Sequence, residues 1–275
     1  MLFKSVKSQT LYIMQKWTFI LTWYIVCGFV IVNFIHNIIV NSERQFISQM
    51  YDITKIITLS DWSPSGYFFM IYYPILVVLP TSAIMLDDRN SKMQLYLLGR
   101  MGRKNYYIGK IISVFISTFI LFTLPFLMEL LLEITCLHLD AHGDPSNFPY
   151  YQTAGKINEY FCSGLYMKNK ILYAFVMVAI FGVISGILAM FNFAISTMNF
   201  VKYKIFTLIP VYLLLYIFAI IEKNINLGYT SNYMFILRLF NEKSKNYGAY
   251  GITCLILLAI SVGIILFKTR RDDLK

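Results

Sequence analysis

Residues 111–133 read IISVFISTFILFTLPFLMELLLE, a stretch of 23 residues with no charge before Glu129. As a helix rising 1.5 Å per residue it would cover about 34 Å, enough to cross a hydrocarbon core of about 30 Å. Its apolar side chains occupy every face, with neither the single stripe of a surface helix nor the alternation of a barrel strand. The segment therefore reads as a membrane-spanning helix, because lipid offers no partner for backbone polar groups outside helices and closed barrels. A lysine, Lys110, stands immediately before it, and Glu129 and Glu133 lie near its far end.

Working outward, five more apolar runs of comparable character appear, at about residues 17–40, 66–86, 171–197, 205–221 and 250–267. The expected fold is all-α: a polytopic membrane protein with six transmembrane helices in one domain. Composition agrees. Of 275 residues, 58% are hydrophobic, 17% aromatic and 14% charged, against about 25% charged in a soluble domain. That deficit argues against a soluble enzyme, a disordered chain or a compact nucleic-acid binder, in spite of a net charge of +10. The first run is too long for the apolar core of a cleavable signal peptide, about 7–15 residues, and is expected to stay in the mature chain.

The basic residues sit at the ends of the apolar runs, where they orient a helix in the bilayer. With a cytoplasmic N-terminus, 15 of the 24 Lys and Arg fall inside against 4 Asp, and 9 fall outside against 10 acids. Inside is thus +11 and outside −1, which places both termini in the cytoplasm.

Residues 1–16 carry Phe3, Val6 and Ile13 on roughly one helical face that Trp17 continues, with Lys4, Lys7, Ser8 and Gln15 away from it. This predicts a helix lying in the membrane interface. Residues 87–110 form the most charged inner segment: Asp87 and Asp88 come first, Leu95, Leu97 and Leu98 follow, and Arg100, Arg103, Lys104 and Lys110 close it. Acids first and bases last suit a helix macrodipole. The leucines of such a projecting helix need a partner to cover them; a loop that merely sets topology is the other reading. Outside, residues 135–170 form a long loop with turn-forming Gly143, Pro145, Pro149 and Gly155, and residues 223–249 hold a short apolar run expected to form outer helices.

Absent motifs narrow the chemistry. No G-x-x-x-x-G-K-[ST], H-E-x-x-H or G-x-S-x-G occurs, so the chain carries no P-loop, zinc-protease helix or serine nucleophile elbow of its own. Glu129 and Glu133 share a helix face; they read either as hydrated interface residues paired with a Lys or Arg, or as part of a substrate pathway in an ion-coupled carrier. His138, Asp140, His142 and Asp144 alternate as H-x-D-x-H-x-D, which suits a zinc-dependent membrane enzyme if the segment is extended and a solvated turn otherwise. Cys136 and Cys162 fall in the long outer loop, where an oxidising exterior would permit a disulfide. Gly182 and Gly186 form a G-x-x-x-G suited to close helix packing within the chain or between copies.

One stretch is similar to a known family. Leu86-Asp87-Asp88-Arg89 through Leu97-Leu98, then Arg103, Tyr106, Tyr107 and Lys110 at the opening of the third run, resembles the ABC-2 type transporter permeases. Asp88 stands where that family usually has Glu, Arg103 at its Arg and Lys110 at its Lys. The Gly-Thr that commonly precedes the leucines is missing, with Ser91 and Lys92 in that region. The resemblance implies a subunit of an ATP-driven exporter that pairs with itself or a second permease, with a separate ATPase carrying ATP and Mg²⁺ and no cofactor on this chain. It implies that Asp88, Leu95, Leu98, Arg100, Arg103, Lys104 and Lys110 belong to the segment coupled to that ATPase. A cargo that is amphipathic or hydrophobic, such as a peptide, lipid-like molecule or drug, suits so aromatic and acid-poor a bundle.

Overall fold

The computed structural model describes residues 2–41, 53–60, 63–137, 162–198, 203–224 and 247–272. Among these the chain is all-helical, with no strand. Eleven α-helices follow in order among the described residues: α1 Leu2–Met14, α2 Trp17–Asn41, α3 Ile53–Ile56, α4 Pro64–Leu76, α5 Ile84–Asn90, α6 Met93–Met101, α7 Arg103–Cys136, α8 Ser163–Lys168, α9 Lys170–Ser196, α10 Ile209–Asn224 and α11 Tyr247–Asp272. A 3₁₀ turn, Lys204–Thr207, leads into α10. Four helices, α2, α7, α9 and α11, are long and apolar enough to cross a membrane, as in a multi-pass membrane protein.

The run at 66–86 is not one helix. Helix α4 contains Pro74 and stops at Leu76, residues 77–83 turn around Pro80, and α5 starts at Ile84. A proline supplies no N–H to the helix ladder, and two of them six residues apart break the run where hydropathy alone sees continuity. The fifth run likewise yields a 3₁₀ turn and a 16-residue helix with Pro210 in its first turn.

Helix α7 is the spine. Its 34 residues correspond to about 51 Å, so it runs well past the 23 residues first noted. Helix α9 packs along it at close range: a Cβ on Gly182 would fall 2.0 Å from Thr123 Oγ1, and one on Gly186 would fall 2.6 Å from the Phe115 ring. The small residues of the fourth run thus serve packing within the chain. Between these helices and α4 lies an aromatic core of Phe69, Tyr73, Phe122, Phe126 and Phe181. Its rings meet mainly edge-to-face or tilted, at 5.4 Å for Phe69–Phe126 and 5.5 Å for Phe126–Phe181, the arrangement that ring quadrupoles favour. Tyr73 Oη and Ser185 Oγ share a hydrogen bond of 2.8 Å within it.

Helix α1 docks on the first half of α7. Ser5, Gln9 and Ile13 are buried, whereas Phe3 and Trp17 are exposed. Ser5 sits over Gly109 and donates to the Asn105 carbonyl at 3.1 Å, Gln9 donates to the Tyr106 carbonyl, and Ser113 of α7 returns a bond to the Val6 carbonyl. In lipid, apolar surface gains nothing by turning inward, so small and polar residues make the helix contact and large apolar ones turn out.

Candidate functional site

Three consecutive residues of α5 fix the elbow between α4 and α7. Asp87 pairs with Lys16 at 2.6 Å, at the start of α2, and with Lys204 at 2.8 Å. Partial burial works against its charge, but the two lysines outweigh that and hold its carboxyl below the usual carboxylate range. Asp88 turns inward: its Oδ2 accepts from Tyr106 Oη at 2.6 Å and from Lys110 Nζ, and Lys110 also lies 5.4 Å from the centres of the Tyr12 and Tyr106 rings. Asp88 and Lys110 are each 1% exposed. Arg89 reaches the C-terminus of α9 and donates to the Thr197 carbonyl.

Helix α6 leaves this anchored base and buries none of its own residues. Lys92 adopts the left-handed region at φ 57° to start it, and Gly102 ends it at φ 77°, a backbone region that suits glycine, before α7 begins. Leu95 is 72% exposed and Tyr96 is exposed beside it. Leu97 and Leu98 are half-buried against the core, while Arg100, Arg103 and Lys104 are exposed. A cavity of about 90 Å³ lies between α1, α6 and α7, lined by Gln9, Tyr12, Asp88, Met93, Leu97 and Met101 among others. The sequence-predicted coupling residues therefore fall into three groups: Asp88 and Lys110 are internal struts, Leu98 is half-buried against the core, and Leu95, Arg100, Arg103 and Lys104 form the outer surface they support.

Glu129 and Glu133 are buried and have no Lys or Arg partner among the described residues. Both are 0% exposed. Asn33 Nδ2 donates to Glu129 Oε1 at 2.8 Å, Asn37 Nδ2 to Glu133 Oε1 at 3.1 Å, and the Thr58 backbone N–H and hydroxyl both donate to Glu129 Oε1. The segment 53–60 folds between α2 and α7, close enough to α4 that a Cβ on Gly66 would fall 2.0 Å from the Thr58 carbonyl oxygen, and so supplies hydrogen bonds where the sequence suggested solvent or a cation. The asparagines were a missed signal: Asn33 and Asn37 repeat on α2 the four-residue spacing of the two glutamates on α7.

Cys136, near the end of α7, and Cys162, just before α8, are both exposed free thiols; no disulfide joins them, and Cys136 Sγ instead contacts Thr135 Oγ1 at 3.7 Å. His138, Asp140, His142 and Asp144 lie outside the described residues, as does most of 223–249, and no cluster of three metal-ligating residues occurs among the described ones. No protein-family model matches the chain, and no curated protein or solved structure matches it either.

Proposed function

We propose that this chain is the membrane-spanning permease subunit of an ATP-driven exporter of the ABC-2 type, paired with itself or a second permease, with a separate ATPase docked beneath it. The observation that carries the reading is α6: an exposed helix with Leu95 and Tyr96 uncovered, Arg100, Arg103 and Lys104 at its exit, and a base fixed by buried struts. A helix that buries none of its residues on its own bundle, yet is held firmly, is suited to seat in a groove on another protein. In this reading Leu95 and Tyr96 enter the groove, Leu98 braces the helix from its contact with the core, and the three basic residues meet acidic groups at the rim.

The chain then crosses the membrane six times, with α4 and α10 as the two short crossings and α1 in the cytoplasmic interface, its exposed Phe3 and Trp17 toward lipid. Both termini are cytoplasmic, in line with the +11 inside and −1 outside charge distribution, and the membrane is the bacterial cytoplasmic membrane. ATP and Mg²⁺ bind the partner ATPase; this chain hydrolyses nothing and binds no nucleic acid. Because α6 joins α7 through Gly102 alone, movement of the docked ATPase passes directly into the spine helix and shifts the bundle between inward-open and outward-open populations. The cargo is amphipathic or hydrophobic, such as a peptide, lipid-like molecule or drug.

The test is co-purification with a P-loop ATPase. Charge reversal at Arg103 and Lys104, or Leu95→Glu, should abolish it, and Leu95→Glu should leave the melting temperature unchanged, since that side chain is 72% exposed. Transport by the purified chain in proteoliposomes without ATPase or ATP would overturn the reading.

A further inference from the structure

Glu129 and Glu133 lie one turn apart on the same face of α7, fully buried, and no charged partner reaches either among the described residues. The donors that do reach them are neutral and act on one side. Oε1 of each glutamate takes the hydrogen bonds, from Asn33, Asn37 and Thr58. Oε2 of each is buried and has no partner among the described residues.

The donors cannot swing round to cover those free oxygens. Each asparagine amide divides its two N–H groups between a glutamate and the Ile56 carbonyl, at 2.7 Å for Asn33 and 2.8 Å for Asn37. Asn33 Oδ1 is fixed in turn by Ser63 Oγ at 2.7 Å. Among the described side chains around the pair, α2 offers the asparagines while His36 is exposed, segment 53–60 offers Thr58 and a carbonyl with the Lys55 side chain outside the described ones, and α7 itself offers Phe126 and Leu130. The buried Lys170 that opens α9 lies over the Tyr166 ring and makes no ion pair with either glutamate. Two like-charged carboxylates taken out of water with no opposite charge are strongly disfavoured. The site is complete only when a positive charge sits on the unpartnered oxygens.

We propose that Glu129 and Glu133 form a cation site, in which one small cation is held between Glu129 Oε2 and Glu133 Oε2 and Asn33, Asn37 and Thr58 act as positioning residues. The shared chemistry is a hard positive charge on carboxylate oxygen, supplied by a proton or by a metal cation. Occupancy ties α2, segment 53–60 and the far half of α7 together. This site and α6 lie at opposite ends of α7, so failure of one reading leaves the other standing.

The experiment is thermal melting of the full chain in lipid nanodiscs. One arm varies pH between 6 and 9, above the range in which Asp87 titrates, in choline buffer free of metal ions; the other holds pH at 7.5 and adds Na⁺ or Ca²⁺. In one of the two arms the wild type should shift by more than about 2 °C. Glu129→Gln/Glu133→Gln, whose side chains are neutral, should lose that shift. A response to pH alone identifies the proton, and a response at fixed pH identifies the metal. Should the double variant fail to fold, the wild type decides: the proton gives a carboxylic-acid C=O stretch in the infrared that Glu133→Gln alone reduces, and the metal gives stoichiometric retention of radioactive Na⁺ or Ca²⁺. Melting that is indifferent to both arms, or shifts that persist in the double variant, would overturn the proposal, as would a wild type with neither infrared nor binding signature.

Discussion

Removing one partner of the Asp88–Lys110 pair leaves the other charge inside the bundle with nothing to meet it. Asp88→Asn should therefore cost about 3–5 kcal/mol, read as a lowered melting temperature of the purified protein, whereas Asp88→Leu/Lys110→Leu should recover most of the loss. Tyr106→Phe deletes one hydrogen bond to a charged group and should cost about 1.5–3 kcal/mol. Legibility at this scale was uneven. Lys110 and Asp88 stand out in the sequence as charges at the ends of apolar runs, but their pairing crosses 22 residues and two helix breaks, and no local pattern records it. The glutamate face was legible from its four-residue spacing; its burial was not, because the covering segment 53–60 is short and carries no spanning signal of its own.

Between elements, the tightest contact is that of α7 with α9. Gly182→Ala would drive a methyl into Thr123 Oγ1, and Gly186→Ala into the Phe115 ring; each should cost about 1–3 kcal/mol. Thr123→Ala should rescue Gly182→Ala and leave Gly186→Ala unrescued, a selectivity that a double-mutant cycle on melting temperature reads directly. The G-x-x-x-G could be read in advance because small residues at that spacing have one use in a helix. The orientation of α1 could not. Its apolar side marks a helix lying in the membrane interface, and nothing in that pattern says that Ser5 and Gln9 turn inward onto Gly109. The break at 77–83 was hidden for a related reason: hydropathy averages over a window and does not register that Pro74 and Pro80 remove backbone donors.

For the molecule as a whole, Asp87 links the start of α2 to the turn before α10. Its carboxyl titrates lower in the folded chain than in the unfolded one. The link is thus fully present above the unfolded value of about 3.9 and is lost as pH falls through the lower folded value. Melting temperature measured from pH 6 to pH 3 should therefore fall more steeply at its acid end in the wild type than in Asp87→Asn. The all-helical, membrane-embedded character was legible from 14% charge and long apolar runs. Which helices touch was not, since nearly every face of each run is apolar.

The Asp87–Asp88–Arg89 triplet also sets an order of assembly. When these residues leave the ribosome, Lys16 already exists, but Lys110 follows 22 residues later and the carbonyl of Thr197 follows 108 later. At a synthesis rate of about 5–20 residues per second, Arg89 waits roughly 5–20 s for its acceptor. The elbow therefore closes in stages, first onto α7, then onto the end of α9 and last, through Asp87 and Lys204, onto the turn before α10, so its completion reports that the first 204 residues have been delivered.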